Sequence, residues 1–217
     1  MRRGLKKRVS VLYAPGTNCE EETMEAIRRA GGKPKLVFVK DIYNGKVKIT
    51  DCDVFINPGG FSFGDHLETG VAVAVLLEDY FQLLKESGIP VLGICNGNQI
   101  LVRAGLFGAG ISMIQNKSKV FCSRPIKHRV LPSNCIWTNG LEERILTFPA
   151  AHGYGRFFFK NVGVNVVMIY EDVSPNGGGE AMICDESGRI AVLMNHPERP
   201  PDNPDGLEIF RRGIAAA

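Results

Sequence analysis

Residues 90–99 read Pro-Val-Leu-Gly-Ile-Cys-Asn-Gly-Asn-Gln, an apolar run ending in a cysteine between two glycines. A G-x-C-x-G at the join of a strand and a helix is the nucleophile-elbow arrangement with sulfur in place of a hydroxyl. The glycines allow a sharp turn. That turn sets Cys95 at the positive end of the following helix, which favours the thiolate, and only the thiolate attacks. The competing reading is a core cysteine beside a βα turn.

A cysteine nucleophile needs a base, and the base needs an orienting group. The candidates are His66, His128, His152 and His196. His196 is the best placed, because His196-Pro197-Glu198 follows the apolar stretch Ile190 to Met194. Residues two apart in an extended chain point to one side, so the Glu198 carboxylate falls beside the imidazole. Taken alone, the same tripeptide reads equally well as a surface turn. A third segment, Asn57-Pro58-Gly59-Gly60-Phe61-Ser62-Phe63-Gly64-Asp65, directly follows another apolar run. Its glycines can turn backbone N–H groups toward a developing oxyanion, and the Asn96 N–H adds a donor from the elbow. No P-loop lysine follows this turn and no G-x-G-x-x-G is present, which argues against nucleotide binding by this chain.

These groups require strands that end where helices begin. Val9–Tyr13, Lys35–Val39, Asp53–Asn57 and Pro90–Ile94 read as strands. Cys19–Ala30, closed by Gly31-Gly32, Gly70–Ser87, closed by Gly88, and Gly97–Ala104, closed by Gly105, read as helices. Alternation of this kind predicts an α/β fold with a mostly parallel sheet and helices on both faces. From Phe107 the pattern loosens. Ile145–Ile169 is β-rich, and Ala181–Cys184 with Ile190–Met194 reads as a hairpin, which adds a smaller antiparallel part and makes the sheet mixed. After Pro200, Pro201 and Pro204 a short terminal helix is expected.

The composition, 44% hydrophobic and 23% charged over 217 residues, is that of a globular protein and excludes disordered, collagenous and disulfide-scaffold classes. The net charge of +3 comes from the start of the chain. Arg2, Arg3, Lys6, Lys7 and Arg8 are five of the 26 basic residues, which leaves 21 against 23 acidic ones, or −2. We read residues 1–8 as a basic arm and 9–217 as one domain. The second basic cluster, Arg124, Lys127, His128 and Arg129, reads as solvated surface, so no nucleic acid is expected as a partner. The apolar stretch after the arm stops at Pro15-Gly16 with no cleavage pattern, and the longest charge-free run, Ser87–Val102, is broken by glycines and a proline. No secretion signal or membrane partner is expected, and the setting is read as cytoplasmic. Six dispersed cysteines without a C-x-x-C pair predict buried thiols and no metal site.

G-I-C-N-G-x-Q at 93–99, N-P-G-G-F-S-F-G-D at 57–65 and H-P-E-R at 196–199 together resemble a class I, triad-type glutamine amidotransferase domain. With Pro15-Gly16-Thr17-Asn18-Cys19, Ala151-His152-Gly153-Tyr154-Gly155-Arg156 and Pro175-Asn176-Gly177, the resemblance narrows to the glutaminase subunits of phosphoribosylformylglycinamidine synthase, of purine biosynthesis. It runs from about residue 9 to the end. It implies a flavodoxin-like fold, Cys95 as nucleophile, His196 as general base and acid, and Glu198 as orienter. Gly60, Phe61 and Asn96 would supply the oxyanion donors, and Gln99, Asn116, Ser118 and His152 would lie in segments that approach glutamine. No cofactor would belong to this chain. ATP and Mg would be used by a large synthetase subunit that converts formylglycinamide ribonucleotide to formylglycinamidine ribonucleotide, in a complex with a small accessory subunit. Three positions depart from the pattern: the family usually has an aromatic at Asn98, commonly a proline at Asn195 and usually a basic residue at Glu68. The rival readings are an amidotransferase subunit of a different synthetase, a cysteine hydrolase on this kind of fold, and a non-catalytic module that uses Cys95 to sense oxidation or its surface to regulate a partner.

Overall fold

The computed structural model describes residues 5–62, 70–160, 164–171 and 173–217. Arg2 and Arg3 of the arm, Phe63, Gly64 and Asp65 of the 57–65 turn, His66 and Glu68 lie outside the described residues. In chain order the first elements are β1 (Arg8–Tyr13), α1 (Glu20–Arg29), β2 (Lys33–Phe38), α2 (Val39–Tyr43) and β3 (Val54–Asn57). Then come α3 (Val71–Leu76), α4 (Glu78–Glu86), β4 (Val91–Ile94), α5 (Asn96–Arg103), β5 (Ile111–Ile114) and β6 (Cys122–Val130). The last are β7 (Ile145–His152), β8 (Arg156–Phe159), β9 (Asn165–Tyr170), β10 (Glu180–Cys184), β11 (Ile190–Leu193) and α6 (Pro204–Ala215).

Nine strands form one sheet in the order β2-β1-β3-β4-β11-β10-β9-β6-β7, and β5 pairs with β8 in a separate two-stranded ladder. The ladders from β2 to β11 are parallel, and those from β11 to β7 are antiparallel. The antiparallel part therefore extends the parallel sheet instead of standing apart from it. β3, β4 and β11 are buried at every position, as strands covered on both faces must be. β7 alternates instead, with Leu146, Phe148, Ala150 and His152 turned inward. The crossover from β1 to β2 runs one way along the sheet and that from β3 to β4 the other. Right-handed crossovers then place α1 and the α3–α4 pair on opposite faces. The direction reverses between β1 and β3, where open sheets of this type leave a crevice at their carboxyl edge.

α1 is anchored by charge as well as by packing. Glu20, Glu21 and Glu22 occupy its positive first turn and Arg28 and Arg29 its last, while Ala26 and Ile27 are buried. α6 is capped by the Asn203 side chain, which accepts from the Asp205 N–H, and has Pro204 in its first turn. The helix expected over 70–87 is kinked at Leu77, whose φ of −112° leaves the helical region. The Leu77 N–H still reaches Val73 O at 3.0 Å and the Phe81 N–H reaches Leu77 O at 2.9 Å, so the bonding continues through the kink. Val71, Val73 and Val75, with stiff branched side chains, hold helix poorly just before it. The strand expected to reach Val39 stops at Phe38, because Val39 turns inward as the first residue of α2. Among the described residues, no helix is long and apolar enough to cross a membrane.

Candidate active site

The carboxyl ends of β1, β3, β4 and β11 converge on one point. Cys95 follows β4 directly and starts α5 with φ 51° and ψ −109°. A cysteine held at positive φ costs about 1–3 kcal/mol, which the surroundings must offset. Both sides of the turn are clamped: the Cys95 N–H donates to Leu193 O of β11 at 2.9 Å, and the Gln99 N–H donates to Cys95 O at 3.1 Å. Gly97 explains how close α5 comes to the sheet, because a Cβ there would lie 1.9 Å from the carbonyl oxygen of Asn57 at the end of β3. Any side chain at 97 would push the helix, and Cys95 with it, off the strand. Cys95 is 5% exposed, and its Sγ lies 3.8 Å from Ala151 O at the end of β7.

His196 leaves β11 through Met194 and Asn195, and its N–H donates to Pro149 O at 2.8 Å. Its Nδ1 is 2.6 Å from Glu198 Oε1, and both side chains are buried. The carboxylate fixes the Nδ1–H tautomer. Nε2 has no hydrogen-bond partner among the described residues, so it is the nitrogen available for proton transfer. Burial opposes charge on this ring, but Glu198 and then Cys95 outweigh it and hold its pKa well above the ordinary 6.5. That direction favours the charged ring. Gly59 marks the meeting point, since a Cβ there would sit 2.9 Å from His196 Cε1 and 3.4 Å from Cys95 Cβ.

That same Cβ would also lie 2.9 Å from Cys19 Sγ, which brings a second thiol to the site. Cys19 follows β1, lies 3.9 Å from His196 Nδ1 and accepts from Arg199 Nη2 at 2.9 Å. Burial pushes its pKa up to about 11, so it is a thiol at neutral pH. The ligand atoms of Cys19, His196 and Glu198 lie within 4.8 Å of one another, a set that zinc favours. The arrangement opposes a cation, however, because the Arg199 guanidinium sits on the sulfur and the Nδ1 proton already fills the space before Glu198.

Of the oxyanion donors read from sequence, Gly60 and Asn96 flank the cleft at the end of β3 and the start of α5. The Phe61 N–H donates to Gly16 O at 2.8 Å and is committed to that bond. Gly60 must be glycine for a different reason: a Cβ would meet Gly16 O and Thr17 Cα, each at 2.7 Å, where this turn packs against the loop after β1.

The four residues expected near glutamine separate into three placements. Gln99 Nε2 donates to Tyr154 O at 2.9 Å, while its Oε1 accepts from Asn96 Nδ2 at 3.1 Å; Asn96 Oδ1 in turn accepts from the Ser62 N–H at 3.2 Å. Asn116 and His152 are buried and joined to each other, with Asn116 Nδ2 donating to His152 O at 2.8 Å. Ser118 is exposed and closes a local turn with Val120. Gln99, Asn116 and His152 thus frame the site through hydrogen bonds that fix backbone groups around it. Asn98 is fully buried, and neither end of its amide has a partner among the described residues. Sequence reasoning passed over Cys19 and Arg199; the signal for Cys19 was its place just beyond a strand on the same edge as the elbow.

Comparison with known proteins agrees with this geometry. Residues 6–204 match the model of the CobB/CobQ-like glutamine amidotransferase domain. The chain is 35% identical to the phosphoribosylformylglycinamidine synthase subunit PurQ of Pyrococcus furiosus, over 93% of this chain and 95% of that protein. It is likewise 35% identical to the PurQ of Thermotoga maritima, over 95% and 96%. Its structure superposes on a chain of the solved PurLQS structure from Thermotoga maritima with a TM-score of 0.86 and 32% identity, covering 98% of this chain and 99% of that one. The glutaminase domain of Trypanosoma brucei CTPS, with bound acivicin, shares the fold alone, at a TM-score of 0.66 and 12% identity over 96% and 94%. An elbow cysteine beside a buried His–Glu pair, in a chain alike over nearly its whole length, leaves one family: the chain belongs to the CobB/CobQ-like glutamine amidotransferases and, among them, to the PurQ subunits of phosphoribosylformylglycinamidine synthase.

Proposed function

We propose that this chain hydrolyses glutamine to glutamate and ammonia and delivers the ammonia to a synthetase partner, which converts formylglycinamide ribonucleotide to formylglycinamidine ribonucleotide. Cys95 Sγ attacks the side-chain carbonyl carbon of glutamine. The carbonyl electrons move onto oxygen, which the Gly60 and Asn96 N–H groups receive; Phe61 joins them only when its bond to Gly16 opens. His196 gives the proton on Nε2 to the departing nitrogen, and the C–N bond breaks to release ammonia and leave a glutamyl thioester. A water then loses a proton to His196 and attacks the thioester. The C–S bond breaks, glutamate leaves, and Cys95 and His196 return to their starting state. Glu198 keeps the ring in the tautomer that each step needs. The reaction requires no cofactor in this chain. ATP and Mg belong to the large synthetase subunit, which this chain joins in the cytoplasm together with a small accessory subunit.

The buried His196–Glu198 pair beside an elbow cysteine carries this reading. Glutaminase activity of the chain assembled with its synthetase partner, measured for wild type and Cys95→Ala, tests it. The substitution should abolish ammonia release while the complex still forms and still uses free ammonia. Ammonia release from glutamine by the Cys95→Ala complex would overturn the mechanism.

A further inference from the structure

A second buried polar chain runs beside the triad, on the inner face of the antiparallel strands. His128 Nδ1 lies 3.1 Å from Leu146 O, and its Nε2 lies 2.7 Å from Asn195 Nδ2. Asn195 Oδ1 is 3.3 Å from His152 Nε2, and His152 Nδ1 is 3.3 Å from Asn116 Oδ1. All four side chains are at most 2% exposed. The shorter contacts, at Leu146 O and at Asn195 Nδ2, set the direction of the bonds. Leu146 O can only accept, so the His128 proton sits on Nδ1 and Nε2 receives the Asn195 amide hydrogen. Asn195 then turns its oxygen to His152, whose own proton sits on Nε2.

At the far end Asn116 Oδ1 is held as an acceptor by the Gly155 N–H at 3.0 Å. With both rings neutral, three hydrogens serve four contacts, and His152 Nδ1 is the atom left without one. Burial keeps both rings neutral, and for His152 the positive His196 adds to that effect. The chain extends to the elbow. The His152 ring is seated so closely on Gly155 that a Cβ there would lie 2.2 Å from its Nδ1. The preceding Tyr154 O holds Gln99, Gln99 holds Asn96, and Asn96 holds the Ser62 N–H of the turn after β3.

Asn195 donates to one ring and accepts from the other, and it is the residue before His196. We propose that Asn195 is a positioning residue for the glutaminase reaction: it ties His128 to His152 and so holds His196 and the Ala151–His152 strand end in register with Cys95. The proposal rests on the glutaminase reading above. Without the Asn195 amide, a lone pair on His128 and an N–H on His152 are left unsatisfied in a buried site. The cheapest relief is rotation of the His152 ring, which moves the backbone beside Cys95 Sγ.

Two variants of the full chain, assembled with the synthetase, test this. Asn195→Leu should lower kcat about tenfold or more and leave KM for glutamine within about twofold, because the loss falls on alignment of the reacting groups. Asn195→Asp keeps the shape but can only accept, so it requires a proton on Nε2 of both rings and draws His128 into its charged form. The groups facing His128 are Leu146 O, the stacked Phe148 ring and Tyr170, and those facing His152 are Asn116 and His196, so among the described residues no other anion competes for that proton. Asn195→Asp should regain most of the lost kcat at low pH and lose it as pH rises through the His128 titration, followed by NMR; wild type should show no such limb. Wild-type kcat in Asn195→Leu overturns the proposal, as does an Asn195→Asp chain whose His128 titrates where the wild-type ring does. If Asn195→Leu fails to fold, the Asn195→Asp titration decides alone. Failure of the glutaminase reading would show separately, as a wild-type complex that releases no ammonia from glutamine.

Discussion

Gly97→Ala should disable the site while leaving most of the fold intact. The alanine Cβ would stand 1.9 Å from Asn57 O and 2.6 Å from Asn57 C, against a floor of 3.0 Å that real Cβ contacts respect. The first turn of α5 must therefore withdraw from β3 by at least the difference, 3.0 less 1.9, or 1.1 Å. Neither side can yield cheaply, because the obstacle is backbone, β3 is buried throughout, and Cys95 is bonded to Leu193 on one side and Gln99 on the other. Overpacking of this kind costs about 1–3 kcal/mol of stability. In a domain of this size each kcal/mol lowers Tm by about 2–4 °C. A nucleophile displaced by about 1 Å loses on the order of 100-fold in rate, or ~2.7 kcal/mol of barrier. The assay is glutaminase initial rate at saturating glutamine in the assembled complex, beside a thermal melt. Gly179→Ala is the control, since a Cβ there meets nothing within 4 Å and the backbone is not in the left-handed region. If Gly97→Ala matches wild type in kcat and Tm, the contact between α5 and β3 does not set the position of Cys95.

Glu198→Gln removes the largest of the contributions that together outweigh burial at His196, so the ring should titrate lower than in wild type and kcat should fall about 10²–10⁴-fold. A raised folded-state pKa stabilises fully below the unfolded value of about 6.5 and ceases to do so as pH rises through the folded value, so the stability gap between the two proteins should close at high pH. NMR of His196 is the measurement, and an unchanged titration would refute the assignment. His128 shifts the other way: burial pushes its pKa down to about 4. The unfolded chain then binds the proton first, so stability is intact above about pH 6.5 and falls toward pH 4 by on the order of 3 kcal/mol from this ring. His128→Gln, which can still accept from Asn195, should flatten that fall in urea titrations at pH 7 and pH 4.5; equal losses in both proteins would contradict it.

The features legible in the sequence were those set by local covalent pattern. The glycines around Cys95 and the i, i+2 spacing of His196 and Glu198 each specify geometry within a few residues, and the structure has the elbow and the 2.6 Å pair. β3, β4 and β11 are buried at all four positions, which the absence of alternation already signalled. Features that depend on tertiary neighbours were not legible. Cys19 and Cys95 are 76 positions apart and meet only because β1 and β4 end on one edge. The Phe61 N–H reads as a free donor until the loop after β1 packs against it. In the sequence His128 falls within a basic surface cluster, and the period-2 pattern of β6 separates them, placing His128 at 1% exposure between exposed Lys127 and half-buried Arg129. Asn195 stood out as a departure from the family, and its partners come from two other strands.

β11 occupies the middle of the nine-stranded sheet, between β4 and β10, yet of these nine strands it is the last to leave the ribosome. Until residues 190–193 arrive, the parallel and antiparallel halves cannot be joined, and β4 and β10 each present an open edge of unpaired backbone groups. One short apolar segment therefore closes the sheet and delivers the base and its carboxylate in the same event. The nascent chain carries its nucleophile from residue 95 onward but gains His196 and Glu198 only after β11 has emerged. The interval before closure is also when the chain is most exposed to self-association, since both halves then offer a template strand.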